Sequence, residues 1–596
     1  MNIGIYFNTE KYVGGVYQYI LTFLDCLREC DKYNYFVFYA SEDFPVTKYH
    51  GNGWKLIDLN HEVYVKSNVT YYLNQICKFG IINPHKIILN RFLHKKFKEY
   101  EIDLMIYLTP AVDSFGTGIP YIMTIFDLQH RLQPNFLEVS ADGIWEEREY
   151  LYKNATKHAS AIIVDSEIGK EDVINFYQIP QERVKVLPYV SPTYILNGIS
   201  EVDKRDIIRK FNLPEHFIFY PAQFWPHKNH INLVKALHLI KMKWGEVISA
   251  VFVGSRQERW GEFDRVMNLV RDLKMENEIK YLGFVSEKEM IALYSTAIAL
   301  VMPTFFGPTN IPPLEAFSLG CPVITSNIRG IREQTGDAAV LVDPRNIEEI
   351  ARAIYQVYID IDLRKTLIEN GYKIIKNWTQ KDFSLKLGSI IDGCISELPN
   401  VDNIYQESIS LPKEIANEKA LWQVKFQVHI DLWNYYLSEG KDSQAEKSFK
   451  EALSITEIPE QVRFYVLVAF GNYYSIQKRY KEAEEKFNRA LSVEGIPDSE
   501  KVFVHYDLGS MYERKGDYKK AKDKFETVID LVKKWRWGML FGDRKIFEGR
   551  THFHLGIIYQ GMGEKEKAAE EFKQCLNLIP DHRKARENLK VIQMDL

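Results

Sequence analysis

Several features are scarce in this sequence of 596 residues, and each scarcity excludes a class of protein. The six cysteines are scattered and form no C-x-x-C pair, which argues against a disulfide framework or a zinc site and fits a reducing cytosol. No run approaches the ~18 apolar residues that a membrane span needs. The N-terminus lacks the basic and apolar segments of a signal peptide, so we expect a cytoplasmic protein.

The chain also lacks a strong charge of either sign. Its 76 Lys and Arg residues nearly balance 80 Asp and Glu residues, for a formal net charge of -4. Nucleic-acid binding needs a net or clustered basic field, so no nucleic-acid partner is expected. Hydrophobic residues at 46% and charged residues at 26% are ordinary for folded protein, and the length predicts about three or four domains.

Short apolar segments, separated by stretches of helical length, occur in two successive blocks, residues 1–200 and 201–377. The predicted strands are Ile3–Phe7, Tyr35–Tyr39, Leu104–Leu108, Tyr121–Phe126 and Ala161–Val164, and then Phe217–Tyr220, Ala250–Val253, Ile279–Leu282, Ala299–Met302, Val323–Thr325 and Val340–Val342. This alternation predicts parallel strands joined by helices. The fold class is therefore α/β, with two Rossmann-like, doubly wound domains that face a cleft at the carboxyl ends of their strands.

The region 418–596 has an all-α pattern with an internal repeat. Four tyrosines are each followed by alanine nine residues later and by phenylalanine thirteen residues later, and glycine precedes three of them by three positions. The tyrosines are Tyr436, Tyr474, Tyr512 and Tyr559, and the glycines are Gly471, Gly509 and Gly556. The pattern resembles the tetratricopeptide repeat, which implies about four helical hairpins stacked into a solenoid that binds a protein partner.

The segment Pro303–Arg329 is the strongest candidate for a ligand site. It follows an apolar strand and leads into a predicted helix at about Pro312–Leu319. Gly307 lets a ligand approach the backbone, and the amides at a helix start carry a partial positive charge that suits a diphosphate. Glu315 is predicted in the first turn, where it could bind a ribose diol or stabilise the helix dipole. The local pattern leaves both interpretations open.

This segment resembles the signature of retaining glycosyltransferases of the GT-B fold, family four. That family has Glu-x7-Glu followed by a Gly-Cys-Pro-Val-Ile run, which is present here at Gly320–Ile324. Glu315 matches the second glutamate, which implies contact with the ribose of the donor, whereas Gly307 replaces the first. Thr309 and Asn310 fall where the family binds the diphosphate, and Asn310 could donate a hydrogen bond in the absence of the glutamate.

The resemblance extends over about residues 1–397 and implies GT-B architecture, with a crossing helix and linker at 378–417. Lys228 matches a lysine that faces the donor phosphates, and Gln223 replaces the arginine that precedes it in the family. Val285 lies in a segment that resembles the loop around the nucleobase. Gly14 and Gly15 resemble the loop that closes onto the phosphates, although a Gly-Gly pair alone is typical of a simple turn.

The first domain contributes candidates for the reacting end of the site. The segment Thr124–Phe136 resembles the family's His-Asp-x2-His motif. Asp127 and His130 match it, which implies polar groups at the sugar or acceptor hydroxyl, and Phe126 replaces the first histidine. The alternative for His130 is a hydrogen-bonded structural residue at a strand end.

The GT-B resemblance implies retention of anomeric configuration and a leaving nucleoside diphosphate that is stabilised by amides, helix ends and basic side chains. No metal or other cofactor is expected. A metal-dependent transferase needs an Asp-x-Asp triplet on a strand-end loop. The triplet Asp360–Asp362 lies instead in a predicted helix far from these motifs.

Three functional hypotheses follow. In the first, a nucleotide-sugar donor glycosylates a protein acceptor, such as a flagellin or adhesin, that is docked on the repeats. In the second, the enzyme serves capsule, lipopolysaccharide or exopolysaccharide assembly and the repeats recruit partner proteins. The basic segment His85–Tyr100 could then meet anionic lipid, although an ordinary surface helix is the favoured interpretation. In the third, motivated by Gly307 and Gln223, the chain is a non-catalytic nucleotide-sugar-binding scaffold.

Overall fold

The structure is a computed structural model. It describes residues 1–7, 14–30, 32–39, 46–49, 51, 53–59, 91–141, 144–254, 256, 261–307, 309–396, 425–426, 429–430, 432–433, 436, 441–534, 544–579 and 582–595. The first six residues of the basic segment at 85–100 and most of the linker at 378–417 lie outside the described residues.

The first domain contains a seven-stranded parallel sheet with the order β3-β2-β1-β4-β5-β6-β7. Its strands are β1 Asn2–Phe7, β2 Asn34–Tyr39, β3 Trp54–Asp58, β4 Leu104–Tyr107, β5 Tyr121–Thr124, β6 Ala161–Val164 and β7 Val184–Val186. Alternate residues of the central strands enter two separate apolar clusters, one on each face of the sheet. Such two-sided burial explains the continuous apolar runs in the sequence.

The second domain contains a six-stranded parallel sheet with the order β10-β9-β8-β11-β12-β13. Its strands are β8 Phe217–Pro221, β9 Ser249–Val253, β10 Ile279–Tyr281, β11 Ala299–Met302, β12 Val323–Ser326 and β13 Ala339–Val342. In each sheet the first three strands follow one another outward in one direction, and the later strands continue in the opposite direction from the first strand. The order therefore reverses between β1 and β4 in the first sheet and between β8 and β11 in the second. Loops at the carboxyl ends of β8 and β11 therefore flank a topological switch point, which is where such sheets bind ligands.

Helices cover both sheets and make up the described part of the repeats. Those of the two domains are α1 Gly14–Leu27, α2 Arg91–Glu99, α3 Asp113–Gly116, α4 Gln129–Leu132, α5 Leu137–Ser140, α6 Ile144–His158, α7 Glu167–Tyr177, α8 Glu201–Lys210, α9 His230–Trp244, α10 Glu262–Asp272, α11 Glu287–Thr296, α12 Ile311–Ser318, α13 Ile331–Thr335, α14 Ile347–Ile359, α15 Ile361–Asn377 and α16 Gln380–Ser396. Those of the repeats are α17 Asp442–Ser454, α18 Glu460–Ile476, α19 Tyr480–Leu491, α20 Asp498–Lys515, α21 Tyr518–Lys534, α22 Arg544–Gly561, α23 Lys565–Leu578 and α24 Arg583–Asp595. Among the described helices, none has both the length and the apolar composition that crossing a bilayer requires.

Helix α16 follows the second domain in sequence but packs on the first. Its residues Phe383, Leu387 and Ile391 are buried in the apolar cluster that covers one face of the first sheet. The Phe383 ring lies edge-on to that of Phe23 in α1, with 5.9 Å between ring centroids. The second domain is thus linked covalently at both of its ends to the first.

Within the repeats, phenylalanine rings pack directly against glycines of the preceding helix. A Cβ atom at Gly471, Gly509 or Gly556 would lie only 2.5–2.9 Å from the ring of the phenylalanine on the following helix. These rings belong to Phe487, Phe525 and Phe572, all fully buried. The regular spacing of glycine, alanine and phenylalanine in the sequence therefore corresponds to pairs of packed helices. The predicted all-α region is confirmed.

The repeats also pack against the first domain. Buried apolar side chains of the outer face of the first sheet and those of the repeats form one continuous cluster. In the same region, burial and the carboxylate of Glu500 raise the pKa of Tyr465 in α18, and the Glu147 carboxylate of α6 adds a smaller electrostatic effect. The solenoid is therefore part of the folded body that carries the first domain.

Candidate functional site

Lys228 lies at the end of a tight turn that follows the first strand of the second sheet. Residues Pro226–Lys228 form a 3₁₀ turn, and its backbone is fixed by the Tyr220 hydroxyl, which donates to the Lys228 carbonyl at 2.8 Å. Asn229 follows in the left-handed conformation, and its side-chain amide donates to the carbonyls of Pro303 and Pro344, both at 2.8 Å. These bonds hold the turn against the end of β11.

The Lys228 ammonium group is half-buried, and burial lowers its pKa to about 8. The Asp127 carboxylate of the first domain acts in the opposite direction and favours the charged form. No hydrogen bond or ion pair of the Lys228 ammonium occurs within the described residues. A partly desolvated cation without a fixed partner is well placed to pair with a phosphate.

Gly307, Thr309 and Asn310 follow the end of β11, where the Phe305 N–H donates to the His227 carbonyl at 2.8 Å and joins this segment to the Lys228 turn. Gly307 has a φ of +94°, and a Cβ atom there would lie 2.8 Å from Nδ2 of Asn310 and 2.9 Å from the Thr309 carbonyl oxygen. Glycine is therefore required by both the conformation and the space. The Thr309 hydroxyl donates to the Asp165 carboxylate of the first domain, and burial raises the pKa of Asp165 to about 7.

The two glycines predicted from the first domain lie against Gln223, which follows β8, and Ile311, the first residue of α12. A Cβ atom at Gly14 would be 3.8 Å from Nε2 of Gln223, and one at Gly15 would be 3.7 Å from Cδ1 of Ile311. Gln223 itself accepts a hydrogen bond from the indole of Trp225 at 2.6 Å. Five predicted residues, Gly14, Gly15, Gln223, Lys228 and Thr309, thus converge where the two domains meet.

Val285 lies one loop further along the second sheet. It is partly buried and packs on the core of the second domain, between β10 and α11. The Gly254 N–H donates to the Gly283 carbonyl at 2.9 Å and connects this loop to the end of β9. A role of Val285 beside a nucleobase stays a prediction.

Glu315 lies in a different environment from the one that the sequence suggested. Helix α12 begins at Ile311, so Glu315 is beyond the first turn, and the expected position at the helix start is corrected. The side chain is buried, its two oxygens accept from the hydroxyls of Tyr194 at 2.8 Å and Tyr294 at 2.6 Å, and burial raises its pKa. Contact with a donor ribose stays a prediction and requires sharing or replacement of these bonds.

Asp127 faces the site, and the structure identifies what holds it. It accepts hydrogen bonds from the Gln129 N–H at 2.9 Å and from Nη1 of Arg148 at 3.2 Å. Burial opposes ionisation of Asp127, but the Arg148 charge and these bonds outweigh it and lower the pKa of the carboxyl. Asp127 is thus an ionised, partly exposed carboxylate whose charge acts on Lys228 of the second domain.

His130 is turned into the first domain. Its side chain is fully buried, and its Nε2 lies 2.8 Å from Oε1 of Glu149, which also receives bonds from Arg131 and Tyr177. Burial lowers the pKa of His130, so the neutral ring is favoured. This environment matches the structural alternative for His130, and its contact with a sugar stays a prediction.

The domains meet closely around the site. Nε2 of Gln133 donates to the Phe305 carbonyl at 2.6 Å, and Glu138 accepts from both the backbone N–H and Nδ1 of His227 at 2.9 Å. These contacts join the first domain to both loops that hold the candidate residues. Across the described residues, no group of three or more His, Cys, Asp or Glu side chains is arranged to hold a metal ion.

Comparison with protein families gives two matches. Residues 203–374 match the model of glycosyl transferases group 1, and residues 504–531 and 549–582 match the tetratricopeptide repeat. The chain carries a glycosyl transferases group 1 domain and C-terminal tetratricopeptide repeats. The matched glycosyltransferase region contains Gln223, Lys228, Asn310 and Glu315.

Curated relatives of this chain include two O-antigen chain mannosyltransferases. The O-antigen chain mannosyltransferase B of Escherichia coli is 27% identical over 267 residues, which are 43% of this chain and 69% of that protein. The O-antigen chain mannosyltransferase RfbU of Salmonella typhimurium is 28% identical over 239 residues, which are 37% and 62% of the two chains. The chain therefore spans about two thirds of the length of these relatives.

Solved structures share the fold of the glycosyltransferase part. HepE of Anabaena in complex with UDP-glucose aligns with a TM-score of 0.51 and 17% identity, over 66% of this chain and 100% of that one. Sucrose-phosphate synthase of Thermosynechococcus elongatus aligns with a TM-score of 0.51 and 17% identity, over 66% and 99%. The predicted GT-B architecture with two facing Rossmann-like sheets is confirmed.

Sequence reasoning missed three residues that shape the site: Asp165, Arg148 and Gln334. Asp165 directly follows β6, so the rule that ligands bind at the carboxyl ends of parallel strands could have identified it. Arg148 and Gln334 lie within helices and act through contacts distant in sequence, and no local pattern marks them.

Proposed function

We propose that this chain is a retaining glycosyltransferase that moves a sugar from a nucleotide-sugar donor to a protein acceptor docked by its repeats. The observation that carries the transfer step is the pair Lys228 and Asp127, a cation of the second domain and an ionised carboxylate of the first domain that interact electrostatically. The cation suits the diphosphate of the donor, and the carboxylate suits the acceptor hydroxyl or the sugar.

The leaving diphosphate is the charge that the site must stabilise. In this proposal Lys228 pairs with it, and the Thr309 backbone N–H and the Asn310 side-chain amide add hydrogen bonds. Gly14 and Gly15 bring the first domain close from the opposite side. Because charge neutralisation comes from side chains and amides, the reaction needs no metal ion or other cofactor.

Metal independence has a direct test. Donor hydrolysis by the full-length protein should continue at an unchanged rate in excess EDTA. Loss of activity with chelator, and its recovery on addition of manganese, would contradict this part of the proposal.

The protein acceptor is supported by the repeats, which form an extended helical solenoid fused to the acceptor-side domain. A second candidate is transfer to a growing surface polysaccharide, because two relatives are named O-antigen chain mannosyltransferases. In that case the repeats recruit partner proteins. Under either candidate we expect the reaction in the cytoplasm.

The two candidates differ in the product. The full-length enzyme is incubated with radiolabelled nucleotide-sugars and an extract of its source cells. Label that is acid-precipitable and lost on protease digestion supports a protein acceptor. Label that is protease-resistant and extractable into organic solvent supports a lipid-linked glycan and overturns the preferred acceptor.

A further inference from the structure

Gln334, a residue of the short helix α13, holds the backbone of Asn310 with both ends of its side-chain amide. Oε1 of Gln334 accepts from the Asn310 N–H at 2.9 Å, and Nε2 donates to the Asn310 carbonyl at 2.7 Å. Asn310 is in an extended conformation, with φ of -146° and ψ of 151°. The glutamine thus pairs with Asn310 as a neighbouring strand would, and holds both the N–H and the carbonyl of its backbone.

The start of helix α12 presents few amide donors. Its second and third residues, Pro312 and Pro313, have no N–H, and the Asn310 N–H is already bonded to Gln334. The usual set of free amides at a helix start is therefore depleted here. A ligand at this position therefore has to rely more on side-chain donors than on backbone amides.

The Asn310 side chain supplies such a donor. It makes no capping bond to its own helix, and its Nδ2 atom is shielded from solvent without a hydrogen-bond partner among the described residues. A shielded amide without a partner is unfavourable, so a ligand oxygen that accepts from it gains binding free energy. Gly307 provides the space, because any side chain at that position would collide with this nitrogen.

We propose that Gln334 is a positioning residue for the donor, which aims the side-chain amide of Asn310 at an oxygen of the bound nucleotide-sugar. This inference rests on the proposed function, because Gln334 would act on the same donor site. The oxygen belongs either to the diphosphate or to a hydroxyl of the transferred sugar. Both kinds of oxygen can accept a hydrogen bond from the Asn310 amide. Ligands with and without the sugar distinguish between them.

The test uses the full-length protein and isothermal titration with UDP, GDP, UDP-glucose and GDP-mannose. Gln334→Met keeps the side-chain length but removes both bonds, and Gln334→Asn keeps the amide but is one methylene too short. Arg332→Ala, an exposed position on the same helix, is the matched control. We expect about tenfold weaker binding for both Gln334 variants and wild-type affinity for the control.

The ligands identify the oxygen. If it belongs to the diphosphate, the nucleoside diphosphate and its sugar conjugate weaken equally. If it belongs to the sugar, only the conjugate weakens. In both cases Asn310→Ala and Gln334→Met should be non-additive, because one residue acts through the other.

Two results would overturn the inference. One is wild-type affinity in both Gln334 variants, and the other is full additivity with Asn310→Ala. Unliganded thermal midpoints verify that the variants are folded. If the wild-type protein binds none of the four ligands, the proposed function itself fails, which is a different result from a wild-type protein that binds and variants that bind equally well.

Discussion

At the scale of single residues, the lowered pKa of Lys228 makes donor binding sensitive to pH. The group is charged below about pH 8 and loses its proton above it, because burial disfavours the charged form. A bound diphosphate needs the ammonium, so the affinity for the nucleoside diphosphate should be constant from pH 6.5 to 7.5. It should then fall by up to about tenfold per pH unit above pH 8.

Titration calorimetry across pH 6.5–9.5 measures this dependence. Lys228→Arg is the control, since a guanidinium stays charged throughout this range and should give a flat profile. A wild-type profile as flat as that of Lys228→Arg would mean that Lys228 does not contact the phosphates.

Gly307 gives a second prediction at this scale. Restoring the family glutamate with Gly307→Glu should weaken nucleotide-sugar binding, because the backbone has φ of +94° and the new Cβ atom would collide with Asn310. Gly307→Ala should show the same loss, about tenfold, since the collision begins at Cβ. Titration with UDP-glucose and GDP-mannose measures it. An alanine variant that binds as tightly as wild type would show that the loop rearranges freely.

At the scale of helices and strands, the repeats depend on contacts between glycine and phenylalanine. Gly509→Ala places a Cβ atom 2.9 Å from the buried ring of Phe525 and should lower the free energy of unfolding by about 1–3 kcal/mol. Gly393→Ala is the matched control, because this exposed helical glycine of α16 has no atom within 4 Å of a new Cβ. It should be neutral or stabilising by about 0.5–1 kcal/mol. Urea denaturation monitored by circular dichroism compares the two, and equal effects would contradict the packing argument.

The sequence predicted most elements because their signals are local. Buried parallel strands have continuous apolar sequences, and all eleven predicted strands correspond to strands of the two sheets. The edge strands β3 and β7 were missed. Trp54–Asp58 mixes apolar residues with Lys55 and Asp58, and Val184–Val186 has only three residues, so neither has a continuous apolar pattern. Both strands lie at an edge of the first sheet, where part of the strand is exposed to solvent and polar residues are tolerated.

The candidate site was predictable only in part. Gly14, Gly15 and Lys228 follow predicted parallel strands in the sequence. Because ligands bind at the carboxyl ends of such strands, these residues could be assigned to the cleft from the sequence. The burial of Glu315 and His130 could not, because their partners Tyr194, Tyr294 and Glu149 come from other elements. Hydrogen bonds between distant segments are set by tertiary packing, which local patterns do not record.

At the scale of the whole molecule, the apolar cores divide the chain differently from its sequence blocks. The second domain has a core of its own, whereas the first domain shares one continuous cluster with the repeats. Helix α6 lies at this junction: Glu147 acts on Tyr465 of the repeats, and the adjacent Arg148 holds Asp127. A disturbance of the repeats should therefore reach the acceptor side of the site before it reaches the donor side.

This coupling can be measured by amide hydrogen exchange. Phe449→Ala removes a fully buried ring of the first repeats and should cost about 3–5 kcal/mol locally. It should speed exchange in α17–α19 and also in α6 of the first domain, while the second sheet keeps wild-type rates, because cooperative units follow shared cores. Val357→Ala in the core of the second domain is the reciprocal control and should leave the repeats unchanged. If the effect of Phe449→Ala stops at the repeats, they fold independently of the first domain, and a partner bound to the solenoid could not act on Asp127 through α6.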